Sequence, residues 1–333
     1  MLSEVQWGIL STAAINDALI GPMNTAKKSR LTAVASRDRA RAKEYASRNN
    51  IPKYYGSYWE LLSDTDIDAV YISLPNTLHY EWIVNAANEK KHVLCEKPLV
   101  TEIEQIEKLK SVEKDTGVTI FEAFMYLHHP QTKKLLEIIK SGRIGKVQYI
   151  VSWLDYFLPF SETDNIRLKP ELGGGSLWDV GVYTNSFSIV FAGGEIPSEV
   201  TCYQTYGETG VDTSTYAQMK FPNGTIAQFS ASIRAPFRVG AHIVGESGGL
   251  IVDDPWKPGL DGKNSIVTVL GKEGQRETII IPAYNPYQAE VETMVTCIID
   301  GSTPTIPLSL SAQFLTSITA LKKSANTGTV LYL

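Results

Sequence analysis

The strongest constraint on this chain is the alternation of short apolar runs with helix-period segments through its first third. Val5–Leu10, Leu31–Ala35, Ala69–Leu74, His92–Leu94 and Val118–Phe121 read as buried strands. Residues 38–49, 76–89 and 101–116 read as helices with one polar face. Apolar strands separated by helices of this length predict a parallel, doubly wound sheet, because parallel strands need crossover helices and those helices cover both faces. Thr101 followed by Glu104 predicts a capping box at the start of the third helix.

The pattern changes after about residue 125. A helix follows Pro130 and ends near Ser141-Gly142. From Lys146 the apolar residues alternate with period two, in Val147–Trp153, Glu199–Tyr206, Tyr216–Phe221, Thr225–Ile233, Ala241–Gly245, Ser265–Leu270 and Glu277–Ile281. Pro222-Asn223-Gly224 predicts a hairpin turn between two of these runs. Helical segments at 175–191, 286–300 and 309–326 are expected to cover one face of a largely antiparallel sheet. A chain of 333 residues exceeds what one core usually serves. The expectation is an α/β protein of two domains, 1–124 for dinucleotide binding and 125–333 for substrate binding and dimerisation.

The net charge of −5, with no long run of like charge, argues against nucleic acid or an acidic membrane surface as partner. No basic and apolar leader is visible at the N-terminus, and no apolar stretch is long enough to span a bilayer. Cys95, Cys202 and Cys297 are odd in number and far apart, which predicts no disulfide framework and no metal, and fits the reducing cytoplasm.

Candidate chemistry sits where the predicted parallel strands end. Gly8-Ile9-Leu10-Ser11-Thr12-Ala13 follows the first strand, with Ser11 and Ala13 where a dinucleotide loop would carry glycines. Ser36 and Arg37 follow the second, where NAD enzymes place an acid. A hydroxyl and a guanidinium suit a 2′-phosphate, so NADP(H) is favoured, and Asp38 keeps NAD(H) open unless it caps the next helix. Leu74-Pro75-Asn76 ends the third, and His79 one turn on lines the cofactor or serves as a structural cap. Glu96-Lys97-Pro98 puts a lysine at the same edge, where its charge can stabilise a developing oxyanion. Gly173-Gly174-Gly175-Ser176-Leu177-Trp178-Asp179-Val180-Gly181-Val182-Tyr183 leads into a helix with Asp179 and Tyr183 on one face. A lysine near Tyr183 would lower its pKa, making Lys97 and Tyr183 a proton-handling pair.

Together these segments, with Glu122-Ala123-Phe124-Met125-Tyr126, resemble the glucose–fructose oxidoreductase / inositol dehydrogenase (Gfo/Idh/MocA) family over essentially the whole chain. Within it the chain is most similar to the dimeric dihydrodiol dehydrogenase and D-xylose 1-dehydrogenase branch, in Glu208-Thr209-Gly210-Val211-Asp212 and Val244–Gly249. The resemblance implies an N-terminal Rossmann domain and a C-terminal α/β domain whose open sheet forms the interface of a homo-oligomer, a dimer or a tetramer. It implies Lys97 as catalytic lysine, Tyr183 as acid/base, Asp179 as a carboxylate near the substrate and Glu96 lining the nicotinamide site. Gly8, Ser11, Thr12, Ala13, Ser36, Arg37, Leu74, Pro75, Asn76, His79, Glu96 and Lys97 are then the cofactor candidates. Tyr126, Trp153, Phe157, Arg167, Asp179 and Tyr183 are the substrate candidates, from a region that also carries Tyr156, Phe160 and Trp178. Many relatives have an arginine after Met-Tyr; here Tyr126-Leu127-His128-His129-Pro130 resembles reductases of keto groups on nucleotide-linked sugars. The expected activity is NADP(H)-dependent hydride transfer to or from a sugar or cyclic polyol. A nucleotide-sugar ketoreductase and a non-catalytic dinucleotide-binding regulator are the alternatives.

Overall fold

The computed structural model describes residues 2–162 and 164–333. These fall into two compact units, Met1–His128 with Asn285–Ser311, and His129–Tyr284 with Ala312–Leu333. This corrects the expected single boundary at 124/125. The segment 285–311 was assigned to the second domain, but it packs with the first because helix α9 (Pro286–Asp300) carries an apolar face onto elements there.

The first unit begins β1 (Val5–Leu10), α1 (Asp17–Thr25), β2 (Ser29–Ala35), α2 (Arg39–Arg48), β3 (Lys53–Tyr55) and α3 (Tyr58–Leu62). It continues β4 (Ala69–Ile72), α4 (His79–Asn88), β5 (His92–Glu96), α5 (Ile103–Thr116), β6 (Ile120–Ala123) and α6 (Met125–His128). Its described strands form one parallel sheet in the order β3-β2-β1-β4-β5-β6. The strand order reverses between β1 and β4, the crevice where such sheets bind ligands. All residues of β4 and β6 are buried, which explains their unbroken apolar runs. The capping box does not form: α5 starts one residue later than Thr101 implied, with Glu102 at its N-cap and no side-chain cap bond. The periodicity also missed β3 and α3, which are too short to show a period, and α1, which contains Pro22.

The second unit contains α7 (Pro130–Lys140), β7 (Val147–Phe157), α8 (Val182–Phe191), β8 (Glu199–Tyr206), β9 (Asp212–Lys220), β10 (Ile226–Ser232), β11 (Arg234–Gly245), β12 (Gly248–Val252), β13 (Ser265–Gly271), β14 (Arg276–Ile281), most of α10 (Leu308–Thr327) and β15 (Leu331–Tyr332). The strands form one sheet, β14-β13-β12-β11-β7-β10-β9-β8-β15, antiparallel at every described pairing except β7 with β10. The β9–β10 hairpin turns at Pro222-Asn223-Gly224, where Gly224 has φ +91° and Phe221 and Thr225 close the turn. Helix α8 lies on β7 and β10 and covers one face.

Candidate active site

In the first unit the turn after β1 is built without its expected glycine. Ser11 has φ +132°, a conformation that ordinarily belongs to glycine. A buried polar network holds it there. The Ser11 and Ser73 hydroxyls are 2.7 Å apart, the Ser73 hydroxyl donates to Asn16 Oδ1 at 2.6 Å, and Asn16 Nδ2 donates to the Ser11 carbonyl at 3.1 Å. Ser11 Oγ also accepts the Ala13 N–H at 3.1 Å, which orients the loop that opens toward α1. Gly8, in contrast, lies inside β1, where a Cβ would stand 2.6 Å from a Leu61 methyl. Its lack of a side chain serves packing against α3 rather than cofactor approach.

At the end of β2, Asp38 is the N-cap of α2, accepting the Ala40 and Arg41 N–H groups at 2.8 and 3.2 Å. Its carboxylate is thereby committed. Ser36 is buried and its hydroxyl accepts the Asp38 N–H, while Arg37 and Arg41 stand beside the Tyr58 hydroxyl. The end of β2 thus offers cations where an NAD site offers a carboxylate.

The edge of β4 and β5 is tied together. His79 is fully buried, with Nδ1 2.8 Å from the Pro98 carbonyl and Nε2 2.8 Å from the Leu74 carbonyl. Both ring nitrogens are occupied by backbone, which corrects the expectation of a cofactor contact. Burial lowers its pKa, and the nearby Lys97 charge adds to this against the two carbonyls. Glu96 accepts the Tyr71 hydroxyl at Oε1 (2.6 Å) and the Lys97 N–H at Oε2 (3.3 Å). Glu122, on the neighbouring strand, accepts the Leu99 N–H at 2.9 Å. Burial pushes its carboxyl up to about 7, against the Ser311 hydroxyl, the Leu99 N–H and the Lys97 charge. Burial, reinforced by the Glu96 charge, also raises Glu290 of α9 well above the carboxylate range. Neither Glu122 nor Glu290 carries a local signal for chemistry, since neither belongs to a turn or a glycine-rich motif. Tyr126, expected to meet substrate, is fully buried with its ring edge-on to Phe124.

In the second unit the glycine-rich run lets backbone pass where side chains would collide. A Cβ on Gly174 would stand 2.6 Å from the Arg167 carbonyl, and one on Gly175 (φ +112°) would strike the Asp212 carboxylate. Asp212 accepts the Ser176 hydroxyl at 2.6 Å and the Leu177 N–H at 2.7 Å, so it secures the start of the following helix. That helix opens with a π-helical turn, Leu177–Gly181, before α8. The turn carries Asp179, and α8 carries Tyr183. Asp179 Oδ2 receives the Tyr156 hydroxyl at 2.6 Å and Arg167 Nε at 2.9 Å. Burial raises the pKa of Tyr156 and the Asp179 charge adds to it, so the phenol remains a donor. Tyr156, Arg167 and Asp179 form one polar cluster, and the Arg167 guanidinium also lies within electrostatic range of the Tyr183 hydroxyl. Trp256 stands edge-on to the Tyr183 and Phe187 rings, at 6.1 and 5.4 Å between centroids, and its indole N–H donates to the Trp153 carbonyl. Trp256 had no sequence signal, since it lies in a loop remote from every motif.

Two substrate candidates point away. Side chains alternate along β7, so Tyr156 joins the layer of Leu158, Val180 and Ile233 while Trp153 and Phe157 face the other side of the sheet. Trp153 lies over Gly240 between Arg238 and His242, and Phe157 is 58% exposed under the Arg234 guanidinium. On that face a shallow cavity of about 400 Å³ is lined by Trp153, Tyr203, Tyr216, Gln218, Gln228 and Arg238, away from Asp179. The described residues hold no cluster of three side chains able to bind a metal, and no helix among them is long and apolar enough to cross a membrane.

Residues 5–124 match the model of an oxidoreductase family with an NAD-binding Rossmann fold, and residues 132–251 match a GFO/IDH/MocA C-terminal domain. The chain is 34% identical to D-xylose 1-dehydrogenase (NADP(+)) 2 of Haloferax volcanii over 332 residues, covering 99% of this chain and 100% of that protein. It is 32% identical to trans-1,2-dihydrobenzene-1,2-diol dehydrogenase of Xenopus tropicalis, covering 80% of this chain and 79% of that one. Among solved structures it is similar to KijD10, a 3-ketoreductase from Actinomadura kijaniata in complex with NADP and TDP-benzene, at a TM-score of 0.88 and 26% identity over 96% of this chain and 98% of that one.

Proposed function

The chain belongs to the GFO/IDH/MocA family of oxidoreductases, and on that footing we propose that it is an NADP(H)-dependent oxidoreductase acting on a CH–OH or carbonyl carbon of a free sugar or related cyclic polyol. The observation that carries the substrate class is the polar cluster of Tyr156, Arg167 and Asp179, within electrostatic range of Tyr183, since a polyhydroxylated ligand needs paired donors and acceptors fixed in place. The cofactor preference is supported by the end of β2, where Asp38 is spent on its helix, the Ser36 hydroxyl keeps its proton to donate and Arg37 supplies a cation for a 2′-phosphate.

Ser11, Thr12 and Ala13 would hold the pyrophosphate, Leu74, Pro75 and Asn76 would line the path toward the nicotinamide, and Glu96 and Lys97 would flank it. NADP(H), when bound, accepts or donates the hydride. In oxidation Tyr183 takes the substrate hydroxyl proton and Lys97 stabilises the charge growing on that oxygen. In reduction Tyr183 returns the proton. Asp179, clamped by two donors, orients substrate hydroxyls.

We assign the open face of the nine-stranded sheet to a homodimer interface, supported by the exposed Tyr203 and Tyr216 rings beside Trp153. The three free, buried cysteines suit the cytoplasm. A nucleotide-sugar ketoreductase is the second reading, favoured by the likeness to the NADP-bound 3-ketoreductase. The deciding experiment incubates the protein with D-xylose, D-glucose or a trans-dihydrodiol plus NADP⁺, and with a TDP-linked ketosugar plus NADPH, and follows NADPH absorbance. Turnover of a free sugar or diol is expected. Activity confined to the TDP-ketosugar establishes the second reading, and NADPH binding without turnover overturns both.

A further inference from the structure

The two residues that follow Lys97 are each held by a buried ionisable side chain. The Pro98 carbonyl meets His79 Nδ1 at 2.8 Å, and the Leu99 N–H donates to Glu122 Oε1 at 2.9 Å. His79 comes from the start of α4 and Glu122 from β6, so the loop is gripped from two different elements. The second nitrogen of His79 reaches the Leu74 carbonyl, which fastens the Lys97 loop to the loop after β4. Two carbonyls face the two ring nitrogens; the neutral ring has one N–H to offer, and the imidazolium has two.

These residues are not what packing alone would select. Glu122 lies among buried apolar residues at the end of a parallel strand, and its Oε2 makes no hydrogen bond among the described residues, although the Ser311 hydroxyl is close enough to favour its charged form. Burying a carboxyl in that state is costly, and an apolar side chain would fill the space. What Glu122 supplies that an apolar residue cannot is an acceptor for Leu99, placed beside Lys97 and Glu96. His79 supplies ring nitrogens to the Pro98 and Leu74 carbonyls, with Lys97 the charged group facing it.

We propose that His79 and Glu122 form a two-sided clamp that fixes the backbone of Lys97-Pro98-Leu99, making both of them positioning residues for the Lys97 ammonium. The inference rests on Lys97 being the catalytic lysine, and it adds two residues that never touch substrate. A displacement of about 1 Å at such a group is enough to cost about 100-fold in turnover.

The test uses Glu122→Leu, Glu122→Gln, His79→Leu and His79→Gln in the full-length protein, with three readouts. Hydrogen–deuterium exchange of the peptide spanning Lys97–Leu99 reports the loop directly. NADPH affinity is measured by its fluorescence, and turnover with D-xylose and NADP⁺. Glu122→Leu and His79→Leu should speed exchange at the loop and lower kcat about 100-fold, with the NADPH Kd changed by less than about 3-fold. Glu122→Gln keeps an acceptor oxygen and should restore both exchange and kcat to near the parent values. Unchanged exchange in Glu122→Leu, a kcat loss that glutamine does not repair, or NADPH binding that falls in step with kcat would each overturn the clamp. Should Glu122→Leu not fold, the His79 pair carries the same comparison, with His79→Gln retaining one donor and falling between the parent and His79→Leu. Absence of D-xylose turnover in the parent protein counts against the proposed substrate, while exchange and NADPH binding still decide the clamp.

Discussion

Tyr156 and Arg167 converge on a single oxygen of Asp179, Oδ2, at 2.6 and 2.9 Å. A carboxylate that accepts a phenol and a guanidinium on one oxygen keeps a fixed orientation. Asp179→Leu would leave both donors without their acceptor and disturb the surroundings of Tyr183. We expect kcat/KM to fall about 100-fold with NADPH affinity unchanged, and Tyr156→Phe, which removes one donor, to cost about 10-fold. Steady-state kinetics alongside NADPH fluorescence titration separates the two effects.

Cofactor choice is separable from helix capping at the end of β2. Arg37→Ala removes a charge-assisted contact, so NADPH should bind about 10- to 100-fold more weakly with little change for NADH. Asp38→Ala removes the cap of α2 and should lower stability by about 1 kcal/mol while leaving the NADPH/NADH ratio as it was. Equal losses for both cofactors in Arg37→Ala would contradict the 2′-phosphate role.

Lys97→Met tests the oxyanion assignment. Turnover should fall by about 10²- to 10³-fold, the range seen when a donor to a developing charge is lost. The protein should still bind NADPH and unfold at the parent temperature. Retained turnover would move the charge-stabilising role elsewhere.

Glu122 gives stability a pH dependence of known sign. Its carboxyl pKa rises from 4.5 to about 7 on folding, so between those values the native state holds more protons than the unfolded chain. Stability therefore falls as pH rises through this window, and the full cost of the buried charge is present above it. Glu122→Gln should match the parent near pH 4 and become the more stable protein above pH 7. The 2.5-unit difference sets an upper limit of about 3 kcal/mol. Thermal melts of both proteins across this range give the comparison; a constant difference would mean that Glu122 does not titrate in the fold.

The parallel sheet was legible because β1, β2, β4, β5 and β6 are continuous apolar runs, and the antiparallel sheet because its strands alternate. The segments that escaped are short or interrupted: β3 has three residues, α3 five, and α1 holds a proline. The site motifs were legible as local patterns, since Lys97, Arg37, Asp179 and Tyr183 each sit beside a turn signal. What could not be read locally was direction. Trp153 and Phe157 lie next to the motif-bearing strand end, but the pleat turns them to the face opposite Tyr156. His79 reads locally as either a cofactor contact or a structural residue, and its partners, the carbonyls of Leu74 and Pro98, lie five and nineteen residues away. Trp256 and Asp212 meet Tyr183 and Ser176 across several intervening strands and a helix, where sequence spacing carries no information.

The serine at position 11 has a consequence for altering the nucleotide loop. Its glycine-like backbone is sustained from outside the loop, by a hydroxyl after β4 and an amide ahead of α1. Ser11→Gly would relieve the backbone yet remove the hydroxyl that pairs with the buried Ser73 hydroxyl, which is in turn bonded to Asn16. Converting this loop to a glycine-rich one is therefore a coordinated change at 11, 16 and 73. The three positions would show strong non-additivity in double-mutant cycles, behaving as one inherited unit rather than three independent sites.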